Sequence, residues 1–295
     1  RIWDMYSPKA RMNLVVCGSI YSMMTKIFKD KKEPLYNRQT RFMNVRPFTP
    51  GVLKEILTEY NPGHMAEDLL ALYSFTGGVA KYVQLLVDAG ATTKSAMLDY
   101  IIHSDSIFLG EGKAILIEEF GKDYGVYFSI LSAIARGKTS RSEIENVVGR
   151  EIGGYLTKLE IEYEVIAKKQ PLFEKSSNKN VLYTIEDNFF TFWFRFIYKY
   201  SYMLEIENYE SVRAIINRDY ETFSGLMLER YLRRVLIESR AFTRIGGWWD
   251  RKGENEIDIV AENELTGEAT FFEVKRKADN IDMDVLERKA AAFLR

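Results

Sequence analysis

The chain has 295 residues, a formal net charge of -1, 46% hydrophobic and 28% charged residues. This is a globular balance, long enough for more than one core, and it excludes a disordered, collagen-like or wholly cationic nucleic-acid-binding protein. A single cysteine, Cys17, and two histidines exclude an internal disulfide framework and a Cys/His zinc centre.

No apolar run approaches the length of a membrane span, and Arg1-Ile2-Trp3-Asp4 lacks the basic-then-apolar start of a secretion signal. The expectation is a cytoplasmic protein with no membrane partner. Its first residues read as if inside a helix, so a preceding segment is also expected.

In chain order, Met12 to Cys17 reads as a buried strand that turns at Gly18-Ser19 into a helix over Ile20 to Lys29. Pro34 to Arg38 is a loop, and Phe42 to Val45 a second short strand. From Thr49 to Gly90 the apolar spacing becomes helical, with Gly77-Gly78 separating two helices.

Between Gly125 and Tyr183 the pattern is three helices and a hairpin, the order of a winged helix. The first helix spans Tyr127 to Ala135. Ser140 with Glu143 three residues on makes a capping box for the second, and the third lies near Glu151 to Leu159. Val165 to Lys169 and Val181 to Ile185 are the strands. Lys168, Lys169, Lys175 and Lys179 on the wing can neutralise phosphates. Glu151, Glu160, Glu162 and Glu164 would repel them, so packing between domains stays open as an alternative.

The aromatic run Phe189 to Tyr198 reads as interdomain packing, because Asp187 and Arg195 interrupt it. A helix from Asp219 to Ile237 leads to strands over Thr243 to Trp248, Glu256 to Ala261 and Ala269 to Lys275, then a helix from Met283 to Leu294. Strand alternation points Glu273 and Lys275 the same way, with Phe272 and Val274 behind. Together with Asp258 they can converge, and Glu229 on the preceding helix can aim at the same edge. Converged carboxylates suit Mg²⁺ or Mn²⁺, and a nearby lysine can orient water or stabilise charge on a phosphate. Glu254 and Glu256 leave open which acid is the ligand, and solvated strand charges are the alternative.

A helix Glu followed by a strand Asp and Glu-x-Lys resembles the PD-(D/E)xK nuclease superfamily. Gly246-Gly247-Trp248-Trp249-Asp250, Glu256-Ile257-Asp258 and Phe272-Glu273-Val274-Lys275 resemble the domain that follows archaeal-type P-loop ATPase modules of the AAA+ and STAND group. The resemblance implies Asp258, Glu273, Lys275 and Glu229 as catalytic residues, with Asp258 and Glu273 holding metal. The front segment resembles the later part of that ATPase module. Ser19 would be its γ-phosphate sensor and Arg38 would lie near nucleotide, while Ala80 stands where the family's Gly-Gly-x-Pro has proline.

No phosphate-binding G-x-x-x-x-G-K loop and no strand ending in Asp-Glu is present, so ATP is expected only with a further N-terminal half. The expected fold is α+β and multidomain: an ATPase-core remnant over 1–48, a helical lid over 49–120, a winged helix with its aromatic connector over 121–200, and an incomplete restriction-endonuclease-like α/β domain over 201–295. Two functions compete. One is an ATP-binding protein with a Mg²⁺-dependent nuclease-like domain acting on DNA. The other is a STAND-type switch whose C-terminal domain is catalytically silent and controls a protein partner or self-association.

Overall fold

The computed structural model describes residues 5–6, 9, 11, 13–18, 21–173, 181–250 and 254–294. The chain divides into two compact units, Arg1–Met43 and Asn44–Arg295. The protein is mixed α+β, and among the described residues two small sheets form, both paired antiparallel.

The first unit contains one helix of note, α1 (Tyr21–Lys29). The expected strand over 12–17 does not form among the described residues: 13–18 are irregular, and Val15 is 85% exposed. The stretch at 42–45 is likewise irregular, with Met43 and Val45 exposed. Both have strand composition, but a strand needs a neighbour for its N–H and C=O groups, and no partner strand lies among the described residues of this unit. Ser19 is outside the described residues. Arg38 closes a turn, its N–H donating to Leu35 O at 3.1 Å.

The second unit opens with five helices, α2 (Pro50–Tyr60), α3 (Ala66–Thr76), α4 (Ala80–Asp88), α5 (Lys94–Ile101) and α6 (Ile107–Phe120). α2 carries Pro in its first turn, where no intrahelical N–H bond is lost. α3 is fixed at its start by Asp68, which accepts from Met65 N and from Lys94 N, and it ends on Gly77 at φ 62°.

Three further helices and a strand pair follow: α7 (Tyr124–Ala135), α8 (Arg141–Val148), α9 (Gly153–Thr157) with a π-helical extension over Lys158–Glu162, β1 (Ile166–Lys169) and β2 (Leu182–Ile185). The Ser140 and Glu143 capping box is present and α8 ends at Gly149. β1 and β2 pair from Ile166 with Ile185 to Lys169 with Leu182, and Ser140 bridges Leu182.

The aromatic run forms α10 (Asn188–Phe192), capped by Asp187, and continues as a π-helix over Trp193–Tyr198. Phe192, Phe194 and Phe196 are fully buried against Phe75, Phe128 and Phe223, which settles this run as core. None of the described helices is long and apolar enough to cross a membrane.

After the short α11 (Ser201–Glu205), α12 (Tyr209–Ser239) runs 31 residues, ten residues longer at its start than the apolar pattern suggests because Asn208 caps it there. Its first half packs into the main core through Val212, Ile216, Tyr220 and Phe223. Its second half reaches a three-stranded sheet, β3 (Arg244–Trp249), β4 (Glu256–Asn263) and β5 (Glu268–Phe272), in that spatial order. α13 (Met283–Phe293) covers the sheet, burying Leu286 with Ile257 and Val260 in a second, smaller core.

Candidate active site

The site is created by an irregularity in the sheet. Gly246 pairs with Val260 but Trp248 pairs with Ile257, so Gly247 alone faces both Asp258 and Ile259, a β-bulge. Residues three apart on a regular strand face opposite sides, yet Ile257 and Val260 share one apolar cluster because of the inserted residue. Arg233 on α12 donates to Asp258 O at 3.2 Å beside Gly247.

β5 ends at Phe272, one residue before the acid of the Glu273-x-Lys275 motif. The expected strand through Lys275 is therefore shorter: β4 runs on through Asp258 to Glu256, but its ladder with β5 stops at Ile259 and Phe272, where the bulge lies. Asp258 takes over, its Oδ2 accepting Val274 N at 2.6 Å. Lys275 Nζ lies 2.7 Å from Glu273 Oε1 and 3.7 Å from Asp258 Oδ2, so both carboxylates converge on one cationic centre. Lys289 from α13 adds a second ammonium 3.2 Å from Glu273 Oε2.

Glu229 sits beside this cluster on α12 and is bound by Arg233 one turn later, at 2.9 Å. Glu256 feels the assembly: burial pushes its carboxyl above the ordinary range, and the charges of Asp258 and Glu229 add to the shift. Burial also acts to raise Glu273, but the hydrogen bonds from Lys275 and Lys289 outweigh it and hold the carboxyl below its usual value. Burial acts to lower Lys275; its hydrogen bond to Glu273 and the Asp258 charge reverse the sign and keep it a firm ammonium. Glu273, the most enclosed of these acids, is 10% exposed.

Arg233 and Lys289 escape a motif-based reading, although the four-residue spacing of Glu229 and Arg233 on one helix face is a legible signal. Lys289 has none, since its partner lies 16 residues away across a turn. Among the described residues no group of three or more His, Cys, Asp or Glu side chains forms a metal-ligand cluster.

Of the wing lysines, Lys168 is paired with Glu160 at 2.6 Å. Lys169 is half-buried, and burial, reinforced by Arg233 and opposed by Glu229, lowers its pKa to about 8. The charges that act on it are therefore those of Arg233, Glu229 and Arg230 on α12 and of Glu186. Lys175 and Lys179 lie outside the described residues. The segment after β1 docks on the sheet, where Leu172 N donates to Gly247 O at 2.9 Å and the missing side chain of Gly246 leaves room for Leu172. Trp248 and Trp249 line a cleft of about 560 Å³ with Leu172, Phe173 and Phe293; Asp258, Glu273 and Lys275 do not border it.

Residues 193–290, which include every member of the acid and lysine cluster, match the model of the DUF234 family, described as archaea bacterial proteins of unknown function. The chain is 33% identical over 301 aligned residues to an uncharacterized protein of Methanocaldococcus jannaschii. That alignment takes in 97% of this chain, which spans 64% of the length of the relative. No solved structure matches the chain.

Proposed function

We propose that this chain is the C-terminal portion of an ATP-binding protein whose last domain is a Mg²⁺-dependent, nuclease-like module acting on DNA. The observation that carries the reading is the convergence of the Asp258 and Glu273 carboxylates on Lys275, with Glu229 and Glu256 at the margin. Helix, three antiparallel strands and helix in that order support it, as does the assignment of the three-helix and hairpin stretch as a winged helix and of α2 to α6 as a helical lid.

The donor set fits a hard divalent cation, since it consists of carboxylate oxygens that already gather around an ammonium. Asp258 and Glu273 would hold Mg²⁺ or Mn²⁺, which supplies a water of lowered pKa and charge compensation at a phosphate. Glu273 is ready for that role because its lysine partners keep it ionised. Lys275 stays protonated, so its contribution is electrostatic and positional: it donates to a water or a phosphate oxygen rather than abstracting a proton. Arg233 restrains Glu229 and the Asp258 carbonyl together, fixing the bulge.

Cleavage of supercoiled plasmid with Mg²⁺ or Mn²⁺ tests this, comparing the chain and a longer form supplied with ATP with Asp258→Ala and Lys275→Ala variants of each. Metal-dependent cleavage lost in both variants supports the reading; variant-insensitive cleavage or none from the longer form defeats it. A second reading, a silent C-terminal domain in a nucleotide switch, draws on the lysines already neutralising Glu273 and on the absence of a three-acid cluster among the described residues. Nucleotide sensing by Ser19 and Arg38 belongs to both.

A further inference from the structure

Glu273, Val274 and Lys275 leave the sheet after the last ladder partner of β5, and side chains alone fix them. Upstream the restraint is the Val274 hydrogen bond to Asp258. Downstream, two consecutive cations tie the segment to helices: Arg276 to Glu67 in the first turn of α3, and Lys277 to Glu221 on α12 at 3.0 Å.

These two ties are unequal. Lys277 and Glu221 are 66% and 62% exposed, where an ion pair contributes little. Arg276 and Glu67 are 23% and 29% exposed, and the arginine stem runs beside Gly225 of α12 with its Nε buried. Glu67 is also favoured at the positive end of α3. The contact joins residues 209 apart in sequence and borders a recess of about 310 Å³ that includes Lys94 and Tyr220.

We propose that Arg276 is a positioning residue: its ion pair with Glu67 fixes the 273–275 segment against α3, so the placement of Glu273 and Lys275 follows the helical region. Only two residues separate Arg276 from Glu273, three steps that each span at most about 3.8 Å. A shift of the α3 N-terminus by a few ångströms therefore pulls on Val274 and on the acid cluster. In the longer protein this couples the lid-like helices to assembly of the site, a consequence that rests on the nuclease-like reading above.

Hydrogen exchange at the Val274 amide of the full chain, which Asp258 protects, tests the anchor without requiring activity. Glu67→Gln and Arg276→Gln should each speed exchange there about tenfold, while Lys277→Gln leaves it near wild type and amides of the α8 helix stay unchanged. Unchanged exchange in both single variants overturns the proposal, as does an equal effect of Lys277→Gln or a uniform loss of protection through α3 and α12. Plasmid cleavage separates the two readings: no cleavage by the wild-type longer form, with accelerated exchange in Glu67→Gln, removes the nuclease and keeps the anchor. Unchanged exchange removes the anchor whatever the cleavage result.

Discussion

Asp258 Oδ2 accepts the Val274 N–H at 2.6 Å, so a carboxylate from the bulge of β4 takes the place of a backbone carbonyl where the β5 ladder has ended. Structural and chemical roles of this side chain are separable. Asp258→Asn keeps an acceptor and loses the charge, so it should retain near wild-type stability and lose divalent-metal binding. Asp258→Ala leaves Val274 N without its partner and should cost about 1–3 kcal/mol in urea unfolding. Equal stability of the two variants would show that the hydrogen bond does not hold the segment.

Gly78 adopts φ 78°, and a Cβ there would come within 2.3 Å of Phe48 O, while Phe48 N donates to Gly78 O at 2.7 Å. Backbone meets backbone, and neither can move without breaking that bond. Gly78→Ala should lower stability by more than about 2 kcal/mol, from strain at positive φ together with the close approach. Thermal unfolding of the variant checks this, with Gly90→Ala, whose Cβ would meet open space, as the control for positive φ alone.

Burial raises the Asp187 carboxyl from 3.8 to about 6, only partly opposed by its hydrogen bonds to Phe190 N and Phe189 N and by Arg230. The folded protein then binds the proton more tightly than the unfolded chain. The stabilisation is present below pH 3.8 and is lost as pH rises through 6, a change on the order of 3 kcal/mol. Asp187→Asn keeps the cap on α10 without the charge. Its gain over wild type should be larger at pH 7.5 than at pH 4.5, and unfolding curves at both values decide it.

Lys169 has the opposite sense. Its folded pKa of about 8 lies below the ordinary 10.5, so the unfolded chain binds the proton more tightly and stability rises between those values. Lys169→Met should be more stable than wild type at pH 7, with the difference shrinking toward pH 10.5. It should also leave the salt dependence of any DNA affinity unaltered, because a half-buried lysine displaces no counterion. A shallower salt slope in the variant would return Lys169 to the phosphate-binding surface.

The helices were legible because their signals are local: the Ser140 and Glu143 capping box, Gly77 at the end of α3, and the apolar spacing of α2. The i, i+2 spacing of Glu273 and Lys275 was visible too, and the two side chains do meet, at 2.7 Å. The strands expected at 12–17 and 42–45 show the limit. Apolar composition marks a segment able to pair, but only a neighbour supplies its hydrogen bonds.

By itself the sequence determined an α+β chain and the positions of most helices, set by periodicity and side-chain type within a few turns of chain. Tertiary structure alone decided the bulge that carries Asp258, the early end of β5, the recruitment of Arg233 and Lys289, and the tie from Arg276 to Glu67. Each of these depends on which distant groups meet in space, and the energy of a charge or an unpaired amide is set by that meeting rather than by its sequence neighbours.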